Sequence, residues 1–425
     1  MKRWQALIVP LIIILLIATY GLHYFENSNA GNQTNPWESA VPSSPNHTAE
    51  SPHTNPPGEE NGTNNTHGGT NNYSYYALLL ERYPSLRGVL ERARNVSGRF
   101  PDVNYPVRVF AGIAERRNLT GAELSILNLT LQADLCYFSL NGTPRESYYV
   151  VSFSDLHPGG VPHLDCPNFT SPLPFVYYRG RGFQYYPVTA SNWAYHYLKG
   201  RKVKEAEAIL NAMLPLRETR IFNGRPVALF NVYFAPPDTN VTPPWVSSFS
   251  QGMLAGLYAW LYNETGNETY LTVARELFNS FYLPLGEGGF VENTSYGLWF
   301  LEYPFRPDFL VLNGHIITMK GLWLYYLFTG DERAIELFQR GVESVKLALP
   351  HCEANNWSLY AVNGPPARED YHRLHVRLLV WLYVRTGDET FLRYAERWNG
   401  YLEQRGLEPE NIDALIREME LNPKL

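Results

Sequence analysis

Three cysteines, Cys136, Cys166 and Cys352, are too few to staple a disulfide scaffold. The chain has no CxxC and no HExxH, so neither a redox pair nor a zinc helix is announced. Net positive charge is missing as well. Lys and Arg number 35 against 41 Asp and Glu, and the resulting −6 argues against nucleic acid as a partner. Large apolar residues are almost absent from about 26 to 72. Such a stretch cannot bury enough surface to offset its ordering entropy, so a disordered linker is expected there. Cys136 and Cys166 can pair in an oxidising compartment, leaving Cys352 free; three isolated thiols is the other reading.

The first segment has the opposite character. Lys2 and Arg3 precede an uncharged run from Trp4 to Phe25. As a helix it would span roughly the 30 Å of membrane hydrocarbon. Residues 1–25 are therefore expected to be a transmembrane anchor, with the rest of the chain extracellular or lumenal. A cleaved signal peptide ending near Ala30 is the rival, and would make the protein secreted. Asn-x-Ser/Thr sequons run from Asn32 to Asn356, as expected of a glycosylated surface protein.

The C-terminal half repeats. KGRKV, TGNET, TGDER and TGDET each open an amphipathic helix, and their glycines (Gly200, Gly266, Gly330, Gly387) are spaced by 66, 64 and 57 residues. The helices before these turns are apolar nearly all round and should be buried; those after them carry one charged face and should lie outside. Buried helix, tight glycine turn and outer helix, repeated four times, predict an incomplete (α/α) toroid over 185–425. A smaller α+β subdomain is expected over 73–184. The fold class is mainly α.

The turns lie at one end of such hairpins, so the loops entering the inner helices meet at the other. These loops are YYPVTASNW, PPWVSSFSQ, EYPFRPDFLVLNG and AREDYH, all rich in aromatic and polar residues. Inner-helix N-termini converge there with free N–H groups, which favours an anionic ligand. Glu302 follows an apolar run and precedes a proline, surroundings that raise a carboxyl pKa toward acid–base use. Tyr371 starts an inward stripe with Leu374, Leu378 and Leu382; it is either a rim phenol able to exchange protons or a packed aromatic. Tyr303 and Tyr360 carry the same two readings. Asn313 is an N-cap or a ligand contact, and Asp370 is read as capping the last inner helix. Arg306 and Arg368 stand on two rim loops where they could hold a carboxylate. His372 and His375 are spaced i, i+3 but lack a third metal ligand.

These residues give the chain its resemblance to the D-glucuronyl C5-epimerase family. EYP at Glu302–Pro304, FLVLNG at Phe309–Gly314, LY at Leu359–Tyr360 and DYHxxH at Asp370–His375 occur in the family's order, with RW…YL closing at Leu402. YYPV at Tyr185 and SQG at Ser250 extend the likeness. It implies an α/α toroid in which Glu302 and Tyr371 form the acid/base pair. Tyr303, Asn313 and Tyr360 line the sugar site, joined by Tyr186, Gln251, Arg306, Arg368 and His375 as substrate contacts. The expected activity is inversion of C5 of a hexuronate within a polysaccharide or glycan, a uronate-containing polymer of heparan type being the partner. After Tyr360 the chain reads AVNGPPA, where the family has a uronate-gripping arginine. No cofactor and no catalytic metal are expected; structural calcium and a homodimer are left open. The rival functions are a polysaccharide lyase, a glycoside hydrolase recruiting Glu292, Glu302 and Asp308, and a glycan-binding protein without turnover.

Overall fold

The computed structural model describes residues 68–424 except Asp238, with side chains from Ser74 onward. The expected anchor and nearly all of the expected linker lie outside these residues. Among the described residues no helix is long and apolar enough to cross a membrane. A first helix, α1 (Gly68–Arg82), begins inside the stretch read as linker.

The N-terminal unit packs α1, α2 (Arg87–Val96), α3 (Asn104–Arg116) and α4 (Gly121–Asn141) together, with α4 against a three-stranded antiparallel sheet. Thr120 and Glu123 close a capping box that starts α4. The strands are β1 (Tyr148–Phe153), β2 (Ser171–Tyr178) and β3 (Gly182–Tyr185). Strand alternation divides the sheet's side chains between two environments. Tyr149, Val151, Phe153, Phe175 and Tyr177 join the main core, whereas Tyr148, Val150, Val176 and Tyr178 join a second apolar cluster. Cys136 on α4 is disulfide-bonded to Cys166, with Cα atoms 5.9 Å apart, and Cys352 is free and buried.

Four helical hairpins follow. Inner helices α5 (Pro187–Lys199), α7 (Ser248–Thr265), α9 (Leu312–Thr329) and α11 (Glu369–Thr386) each pack on the next. Each is followed by an outer helix: α6 (Val203–Met213), α8 (Glu268–Asn279), α10 (Glu332–Ala348) and α12 (Glu389–Gln404). Gly266, Gly330 and Gly387 end their inner helices in the left-handed region, at φ 73°, 67° and 69°. One residue further, Asn267, Asp331 and Asp388 cap the outer helices through their side chains. The first hairpin departs from this pattern. Gly200 has φ −76°, and Arg201 takes the left-handed position at 59°.

Helices α7 and α9 touch backbone to backbone. A Cβ at Gly256 would lie 2.6 Å from the Gly321 carbonyl oxygen, and one at Gly321 would overlap Gly252. This close approach explains glycines in helices that are otherwise apolar all round. Two β-hairpins sit between repeats, β4 (Glu218–Phe222) with β5 (Arg225–Leu229), and β6 (Val291–Thr294) with β7 (Gly297–Phe300). The first turns at Asn223-Gly224, both at positive φ, as its sequence demands. A last helix, α13 (Ile412–Leu421), packs on α11 and reaches α5 through the Lys199–Glu418 ion pair.

Candidate active site

Three chain segments build one wall of the site. The β6–β7 hairpin delivers Glu302 beside the start of α9. Segment 359–362 then crosses that start: Val311 bridges Ala361, Leu312 N donates to Tyr360 O at 3.2 Å, and Val362 N donates to Leu310 O at 3.0 Å. These bonds seat Tyr360 at the start of α9. The third segment, the first turn of α11, carries Tyr371, whose ring meets Tyr360 edge to face at 5.0 Å.

Glu302 is 6% exposed, and its Oε2 has no hydrogen-bond partner. Its carboxyl packs so closely on Gly314 that a Cβ there would collide with it. Burial pushes its pKa up to about 7, and a hydrogen bond from Tyr303 partly offsets this. The Tyr186, Tyr303 and Tyr360 phenols are held well above the usual tyrosine range, burial being the main cause and the Glu302 charge the next. Glu302 and Tyr371 both lie within electrostatic range of the same two phenols, Tyr186 and Tyr360.

Asn313 is 4% exposed, with a buried, unpartnered Oδ1. It is not the N-cap: α9 starts at Leu312, and Val311 holds that position without a side-chain cap. Asp370 is not a cap either. It stands inside the first turn of α11 and binds Arg368 at 2.7 Å. Arg368 also lies 5.8 Å over the Tyr371 ring. Arg306 stacks on Phe309 at 4.2 Å and makes no ion pair among the described residues. It is therefore the less committed of the two rim cations.

Two residues expected as sugar contacts lie deeper than the rim. Gln251 is fully buried and bonded to Phe230 N, Ala228 O and Ser280 Oγ. Its amide joins the β5 segment to α7, and both of its N–H donors are spent inside the core. His375 is fully buried, with Nδ1 bonded to Ser358 Oγ at 2.9 Å, Nε2 unpartnered and the ring packed on Trp398 of the outer helix. His372 accepts from Ser358 N at 3.1 Å and meets the Ser358 hydroxyl at 2.8 Å. The histidine pair clamps Ser358, two residues before Tyr360. It positions the site from behind.

The opposite wall was not anticipated. Tyr148 and Tyr178 of the sheet, Phe234, Trp245 and Tyr105 belong to the same apolar cluster as Tyr303 and Tyr360. Ring contacts run from Tyr148 to Tyr178 (5.1 Å), to Phe234 (5.1 Å), to Tyr186 (5.3 Å), to Trp245 (6.5 Å) and to Tyr303 (5.9 Å). The site is thus a buried aromatic cluster between sheet and helix ends, with one buried carboxyl. Glu292 lies on β6 opposite Trp299, and Asp308 is exposed; neither stands in an environment like that of Glu302.

Residues 228–400 match the family model for the D-glucuronyl C5-epimerase C-terminus. An uncharacterized protein of Methanocaldococcus jannaschii is 32% identical over 223 residues, which cover 48% of this chain and 72% of that one. The chain belongs to the D-glucuronyl C5-epimerase C-terminal family. The D-glucuronyl C5-epimerase of Caenorhabditis elegans is 32% identical over 182 residues, 38% of this chain and 29% of the worm protein. The match therefore spans under a third of that enzyme's length. Among solved structures, a sugar epimerase from a ruminal bacterium aligns over 53% of this chain and 62% of its own. Its TM-score is 0.36 at 15% identity, a likeness too distant to say more of this chain. The family segment contains Glu302, Asn313, Tyr360 and Tyr371, while Tyr105, Tyr148 and Tyr178 lie before it.

Proposed function

We propose that this protein is a carbohydrate epimerase that inverts C5 of a hexuronate unit within a polysaccharide. The observation that carries the reading is Glu302. It is a buried carboxyl with a free oxygen and a pKa near 7, sharing its neighbouring phenols with Tyr371. The hydrogen on C5 is acidified by the adjacent carboxylate of the sugar. In the proposed cycle the Glu302 carboxylate removes that hydrogen as a proton. The electron pair moves into the sugar carboxylate as an enediolate, and the Tyr371 hydroxyl returns a proton to the opposite face. Arg306, cationic and without an acidic partner among the described residues, would hold the enediolate. Asn313 Oδ1 would accept from a sugar hydroxyl, which explains an otherwise costly buried orphan.

Proton transfer by a positioned group supplies about 10²- to 10⁴-fold. A charge-stabilising donor adds about 10²- to 10³-fold. Both are needed, so the account requires an arginine at the rim. The hairpin array is read as an open arc of an α/α toroid with the aromatic cluster at its mouth. The Cys136–Cys166 disulfide supports placing the domain outside the cytoplasm.

The test is incubation with glucuronan-, heparosan- and alginate-type polymers in deuterated water. Deuterium at C5 together with the inverted uronate supports the reading. An unsaturated, ultraviolet-absorbing product would instead make the protein a lyase. No incorporation with any of the three polymers would leave a binder or a hydrolase.

A further inference from the structure

Beside the aromatic cluster, at Tyr105, lies a concavity of about 250 Å³. Its floor is one face of α3, formed by Tyr105, Arg108, Gly112 and Arg116, and its opposite wall includes Ala235 and Val241. The helix positions follow the i, i+3, i+7, i+11 stripe, a straight track of about 16 Å at 1.5 Å per residue. The track adjoins the candidate site, because Tyr105 and Val241 also belong to the cluster around Tyr303, Trp245 and Tyr360.

Two features set this track apart from an ordinary helix surface. Arg108 and Arg116 are both exposed and make no ion pair among the described residues, and no carboxylate stands among the described lining residues. Arg108 keeps only a distant ring contact, 5.9 Å above Tyr105. Gly112 lies between them, and a Cβ there would meet nothing within 4 Å. Packing therefore does not demand glycine, although glycine costs a helix interior about 1 kcal/mol against alanine. What its missing side chain leaves is an open floor between two cations.

We infer that this track is a second binding site for an anionic sugar of the same polymer. It would hold the uronate chain where it leaves the candidate site past Trp245, with Arg108 and Arg116 each facing a carboxylate. The inference deepens the proposed function and rests on it. It assigns processing of polymers rather than single sugars to residues outside the family segment.

The experiment is calorimetric titration with heparosan, with carboxyl-reduced heparosan and with free glucuronate, with C5 exchange measured in parallel. The Arg108→Ala/Arg116→Ala double variant should bind heparosan about tenfold more weakly, two partly exposed charge contacts having been lost. Its binding of free glucuronate should match that of the unmodified protein. Gly112→Trp should fill the floor and weaken heparosan alone, with a melting temperature no lower than the parent's. Unchanged heparosan affinity in both variants, or equal binding of the carboxyl-reduced polymer to the unmodified protein, overturns the track while exchange at the candidate site stands. If the unmodified protein neither binds nor exchanges any of these sugars, the reading of the candidate site fails and the track with it.

Discussion

Burial does two things to Glu302, and they can be measured separately. It sets the group's pKa near 7, so the carboxylate needed to take a proton forms as pH rises through that value. Exchange at C5 should therefore climb with an apparent pKa of about 7, visible in a pH–rate profile. A profile that is flat from pH 5 to 8 would contradict the assignment. Burial also costs stability. The folded carboxyl binds its proton more tightly than the unfolded one, whose pKa is about 4.5, so stability falls as pH rises from there to about 7. The shift corresponds to about 3 kcal/mol once the group is fully ionised. Glu302→Gln should therefore melt above the parent at pH 8 and alike at pH 4. A difference that does not vary with pH would show that ionisation is not its cause. Gly314→Ala probes the same carboxyl from the helix side. Its Cβ collides with Glu302, so exchange should fall at least tenfold with helix content retained by circular dichroism.

Among the elements, the contact of α7 with α9 is the least forgiving. Gly321→Ala places a methyl group inside the backbone of Gly252, and overpacking of this kind costs about 1–3 kcal/mol. Urea titration should show that loss. The clamp behind Tyr360 gives a second element-scale prediction. Ser358→Ala removes the hydroxyl shared by His372 and His375; His372 keeps the backbone N–H, but the buried His375 Nδ1 loses its partner at a cost of about 1–3 kcal/mol. It should also lower the exchange rate, because Tyr360 rides on that segment. The repeat with its glycine turns and the alternation of buried and outer helices were legible in the sequence because each is a local pattern. The closeness of Glu302, Tyr360 and Tyr371 was legible in the same way, since each lies on a segment leading into an inner helix. Gln251 and His375 occupy similar positions, yet Gln251 turns to backbone and hydroxyl partners and His375 Nδ1 to Ser358. No spacing rule shows which way a buried polar group will turn. Tyr148 and Tyr178 could have been suspected from strand alternation, which put half of each strand out of the core. Where that half would face depends on how the sheet docks, a long-range contact with no local signature.

At the scale of the whole molecule, the aromatic cluster around Glu302 forms where the sheet meets the hairpin array. Tyr148 is the part of the sheet that stands farthest along the ring chain from Tyr303, and Tyr148→Ala should weaken uronate binding without changing the pH dependence of exchange. Everything about the molecule's proposed activity converges on whether Glu302 and Tyr371 work on opposite faces of one carbon. The direct measurement is deuterium incorporation at C5 by the parent, Glu302→Gln and Tyr371→Phe, each confirmed folded and able to bind the polymer. The account predicts incorporation with inversion in the parent and none in either variant. Full exchange retained in either variant would contradict it.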